Sequence, residues 1–66
     1  MLLRDFTKPE IEYLLDRCNF TEEEERYFLL RTKDKSNIQI SLEMNISETQ
    51  VSRLARRVKN KIKRIL

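Results

Sequence analysis

Sixty-six residues leave room for one domain with a small core, near the size at which stability is marginal without staples or partners. Apolar residues make up 39% and charged residues 38%, the composition of a helix-rich folded domain and not of a disordered tail. One cysteine and no histidine exclude an intramolecular disulfide and nearly all zinc arrangements, and no apolar run approaches the length of a bilayer span.

The net charge of +3 conceals a strong asymmetry. Residues 1–25 carry three basic against eight acidic side chains, a net −5; residues 26–45 carry four against two, +2; residues 46–66 carry seven against one, +6. A field so arranged turns the second half of the chain toward a polyanion. Met1-Leu2-Leu3 followed by Arg4-Asp5 is too short for a signal peptide, so a cytoplasmic location is expected.

A capping-box pattern, Ser or Thr followed three residues later by Glu or Gln, occurs four times and predicts an all-α chain of four helices. The first, opened by Thr7 and Glu10 with Pro9 in the first turn, is expected over about 8–18; Phe6 staples onto Ile11, and Asn19 ends the helix in place of a glycine. Cys18 continues the apolar row of Ile11, Leu14 and Leu15, which marks it as a small buried hydrophobe and not a reactive thiol. The second helix, about 22–32, opens on four glutamates that offset the positive end of its dipole from solvated positions, and Phe28, Leu29 and Thr32 are expected to face the core. A third helix is expected over 37–44 from the Ser36 and Gln39 box.

Asn45 then occupies a turn that needs a left-handed backbone, and in a chain without glycine Asn is the next best residue for it. Ser47 and Gln50 cap the fourth helix, about 48–65, and Ile46 staples onto Val51. Val51, Leu54, Ala55, Val58, Ile62 and Ile65 form one apolar stripe. Thr49, Gln50, Ser52, Arg53, Arg56, Arg57, Asn60, Lys63 and Arg64 make the opposite, mainly cationic face. Ile40, Met44, Ile46, Val51 and Leu54 fall where two short helices crossing steeply must touch, with small Ser41 at the closest approach.

These residues, with Phe20-Thr21, Arg26-Tyr27-Phe28-Leu29-Leu30-Arg31, Gln39-Ile40-Ser41 and Asn45-Ile46-Ser47-Glu48-Thr49-Gln50-Val51-Ser52, resemble the helix-turn-helix DNA-binding domain of region four of bacterial RNA polymerase sigma factors and the related response-regulator output domains. The resemblance covers about residues 20–62. It departs where the family usually has Glu-Ile-Ala and a turn glycine, here Gln39-Ile40-Ser41 and Asn45. It implies a tri-helical sigma-like core with an additional N-terminal helix, in one helix-turn-helix domain over residues 1–66, acting as a small bacterial or phage transcription regulator.

In a groove-docked helix the first turns meet base edges and later turns meet phosphates. Thr49, Gln50, Ser52 and Arg53 are therefore the expected base contacts on double-stranded DNA, Gln50 addressing adenine and Arg53 guanine. Lys33, Lys35, Ser36, Arg56 and Arg57 are the expected phosphate contacts. One such module reads few base pairs, so a homodimer or an RNA polymerase complex is expected, with Ile62, Ile65 and Leu66 or Met1, Leu2, Leu3 and Phe6 as dimer surfaces. The competing reading is an adaptor that binds RNA polymerase, a sigma factor or another acidic protein surface. A membrane-surface role for the last helix is disfavoured, because it lacks Trp and its apolar face is needed as core cover. With no imidazole base and no glycine-rich phosphate loop the chain is not expected to be an enzyme, and no cofactor or metal is expected.

Overall fold

The computed structural model describes residues 6–66, which form four helices and no strand: α1 (Lys8–Arg17), α2 (Glu22–Thr32), α3 (Asn37–Met44) and α4 (Glu48–Ile65). Every start is closed reciprocally. The Thr7, Thr21, Ser36 and Ser47 hydroxyls accept from the backbone N–H groups of Glu10, Glu24, Gln39 and Gln50, whose side chains accept from the capping residues' own N–H groups at 2.8–3.1 Å. Each box satisfies two donors that a helix start would otherwise leave open.

The turns are made without glycine. Asn19, Asp34 and Asn45 hold φ of 52°, 66° and 56°, the left-handed region that Asn and Asp enter more readily than other side chains. At Asn45 the reversal lets the Ser41 carbonyl accept from both the Asn45 and the Ile46 N–H, which ends α3 two residues before Ser47 opens α4. The first helix stops one residue short of the expected span, with Cys18 as its cap.

Leu14, Cys18, Tyr27, Phe28, Ile40, Val51, Leu54, Ala55, Val58 and Ile62 make the buried core, so all four helices or their caps contribute. The α4 stripe lies against α2 and α3. Phe20 and Phe6 cover Phe28 from the α1 side, with ring centroids at 5.2 and 6.4 Å. Ser41 is buried where α3 joins the core, and its hydroxyl is satisfied within its own helix by the Ile38 carbonyl at 2.7 Å.

Three expectations need correction. The core stripe of α2 is Glu24, Tyr27 and Phe28, spaced by three and four residues, whereas Leu29 and Thr32 are only half-buried and Leu30 packs on the core instead. Glu24 is thus not a solvated helix-start carboxylate like Glu22, Glu23 and Glu25; only 2% of it is exposed. Ile62 is fully buried and has no surface to offer a partner chain, while Ile65 is half-buried and Leu66 exposed. Met1, Leu2 and Leu3, the other expected dimer surface, lie outside the described residues.

Candidate nucleic-acid interface

The long helix α4 is amphipathic from end to end. Burying Val51, Leu54, Ala55, Val58 and Ile62 on one side leaves Thr49, Gln50, Ser52, Arg53, Arg56, Arg57, Asn60, Lys63 and Arg64 exposed on the other. At about 1.5 Å per residue this face extends roughly 27 Å. The apolar stripe fixes the rotation of the helix, and that rotation directs the cations outward.

Thr49, Ser52, Arg53, Arg56 and Arg57 line one shallow groove on this face, so three of the four expected base contacts and two of the five expected phosphate contacts come together. Among the described residues no carboxylate lines it. Beside it runs a second groove, lined by Asn37 at the start of α3 and by Ser52, Arg56, Lys59, Asn60 and Lys63 of α4, again with no carboxylate among the described residues. Ser52 and Arg56 belong to both.

Gln50 is not among the groove residues. Its Oε1 accepts from the Ser47 N–H at 3.1 Å, so the amide oxygen closes the capping box while the amide NH2 makes no such contact. A bidentate contact to adenine uses both atoms, so the oxygen would be shared between the cap and the base.

The residues expected to hold phosphates around the α2–α3 turn are dispersed. Lys33 is exposed at the end of α2. Lys35 is half-buried and paired with Glu43 at 3.3 Å, a surface ion pair worth under about 1 kcal/mol. Ser36 spends its N–H on Gln39 Oε1 at 2.9 Å and its hydroxyl on the Gln39 N–H at 3.2 Å. The Arg31 guanidinium donates to the Lys35 carbonyl at 2.8 Å and braces this turn.

Sequence reasoning missed Asn37 and Lys59. Asn37 Oδ1 accepts from the buried Tyr27 hydroxyl at 3.4 Å, a long contact that leaves the amide NH2 for the groove. Only Tyr27 being in the core identifies Asn37 as a positioned side chain. Lys59 was legible as part of the cationic run but sits at the edge of the polar face, where a wheel alone does not say which neighbouring helix it meets.

Burial pushes the Cys18 thiol up, opposed by the nearby Lys61 charge, which leaves it protonated and inert at neutral pH. Burial likewise raises the Tyr27 phenol, opposed by Arg31. Among the described residues no group of three His, Cys, Asp or Glu side chains is placed to hold a metal ion, and no helix is long and apolar enough to cross a membrane. No protein-family model, curated protein or solved structure matches the chain.

Proposed function

We propose that the chain binds double-stranded DNA in a sequence-dependent way through the exposed face of α4, as a small transcription regulator of the helix-turn-helix kind its sequence resembles. The observation that carries this reading is the carboxylate-free groove of Thr49, Ser52, Arg53, Arg56 and Arg57, opened by the burial of the opposite side of the same helix. Short polar side chains at 49 and 52 let the backbone of α4 approach base edges, while Arg53 has the fork that matches guanine O6 and N7. Arg56 and Arg57, one turn further on, supply the sequence-independent attraction to phosphates.

Selection from random duplex DNA at two salt concentrations tests the reading. Wild type is expected to enrich a preferred site, and Arg53→Ala to relax that site at one position at a cost of about 1–3 kcal/mol. No enrichment at either salt would overturn the reading in favour of an adaptor. The observation on that side is the pair Ile38 and Leu42, one turn apart on α3 and 60% and 76% exposed, an apolar feature that DNA would not use.

A further inference from the structure

We infer that the second groove, between the start of α3 and the later turns of α4, seats the sugar-phosphate strand that borders the groove in which α4 reads bases, with Asn37, Lys59 and Lys63 as its additional phosphodiester ligands. The inference rests on the DNA reading above and extends it to residues and a strand that the reading does not include.

Four observations carry it. The two grooves share Ser52 and Arg56, so whatever occupies the first continues directly into the second. Arg56, Lys59 and Lys63 climb one edge of α4 over about 10 Å of helix rise, a row of cations and not an isolated charge. Among the described residues no acidic side chain lines the groove to neutralise them, and none of the three has a salt bridge. Asn37 stands across from this row, and with its Oδ1 3.4 Å from the Tyr27 hydroxyl its NH2 is the part of the amide left to donate to a phosphate oxygen.

The start of α3 adds to the fit. With Ser36 and Gln39 closed on each other, the Asn37 and Ile38 N–H groups are the donors of that helix end without a partner among the described residues. A phosphodiester in the groove meets cations from α4 on one side and the α3 start on the other. Such a seat contributes affinity without base preference, and it makes the later turns of α4 part of the binding surface.

The test compares Lys59→Gln/Lys63→Gln with wild type and with Lys8→Gln/Arg26→Gln, an exposed pair that removes the same charge elsewhere. The salt dependence of binding to one duplex is measured for each, and the melting curve of each variant is recorded to establish that it is folded. With a slope near −0.9 per neutralised phosphate, the groove variant is expected to lose about 1.8 from the slope. A fourfold rise in salt should then cost it about 12-fold less affinity than it costs wild type, with the preferred bases unchanged. The control pair is expected to keep the wild-type slope. A groove variant that binds with the wild-type slope overturns this seat and leaves the DNA reading standing, as does a control pair that loses as much slope as the groove variant. Wild type that binds no duplex at either salt overturns the DNA reading and the seat together.

Discussion

Lys61 and Glu24 are an ion pair that ties the last helix to the start of the second: the Lys61 ammonium donates to Glu24 Oε1, an atom that also accepts from the Thr21 N–H, and to the Asn19 carbonyl at 3.2 Å. One cation thus joins α4, the α1–α2 turn and the capping box of α2. The Glu24 side chain is 3% exposed and that of Lys61 27%, so the two partners are not equivalent. Removing the lysine strands a buried carboxylate, whereas removing the carboxylate leaves a lysine that can swing into water. Lys61→Met is expected to lower stability by about 2–3 kcal/mol and Glu24→Gln by less, read from urea unfolding midpoints.

The same pair sets a pH dependence. Burial pushes the Glu24 carboxyl up, but the Lys61 hydrogen bond and charge with the Thr21 hydrogen bonds outweigh it and hold it below the usual carboxylate range. A folded-state value below the unfolded one means a contribution that is complete above the ordinary range, near pH 4.3, and lost as pH falls through the lowered value. Melting temperature is therefore expected to stay flat from pH 7 to about 5 for this term and to fall below about 4. In Lys61→Met the acid-side fall attributable to Glu24 should shrink, and an unchanged profile would show that the pair does not set it.

Ile62 separates core from surface at the end of α4. It is fully buried whereas Leu66 is 76% exposed. Ile62→Ala is expected to cost about 2–5 kcal/mol, and Leu66→Ala no more than about 0.5 kcal/mol. Thermal unfolding of the two variants distinguishes this packing from one in which both residues serve a dimer surface.

At Asn45, with φ 56° and ψ 47°, the side chain pays the left-handed strain only in part. Asn45→Ala should destabilise by about 1 kcal/mol and Asn45→Gly should be neutral or stabilising. Both follow from denaturant midpoints, and an alanine variant as stable as wild type would mean that the turn relaxes to another geometry.

Gln50 offers a separation of capping from recognition. Gln50→Glu keeps an acceptor for the Ser47 N–H and places a carboxylate at a helix start, so stability should hold or rise by a few tenths of a kcal/mol. The substitution deletes the NH2 donor, so affinity for the selected site should fall by about 1–3 kcal/mol if Gln50 meets a base. Unchanged affinity would assign it to the cap alone.

The local chemistry was legible in the chain. All four capping boxes, the left-handed residue at Asn45 and the apolar stripe of α4 follow from residue types three and four apart, because each is decided within one or two helical turns. Glu24, Tyr27 and Asn37 were not legible, for one common reason. Four consecutive glutamates look alike until tertiary packing turns one of them inward, and that rotation brings Tyr27 into the core and its hydroxyl to Asn37. The groove followed the same division: its α4 side chains were readable as a polar face, while the contribution of α3 depended on where a partner helix lies.

The reciprocally closed helix starts also bear on how quickly this chain finds its fold. Each is completed by residues three positions apart and each reversal is made by a single Asn or Asp, so much of the architecture is encoded over short separations. Helical proteins dominated by local contacts cross their folding barrier in about microseconds to milliseconds. The Lys61 link to Glu24 spans 37 positions, so its loss is expected to accelerate unfolding more than it slows folding, read from the two arms of a denaturant chevron.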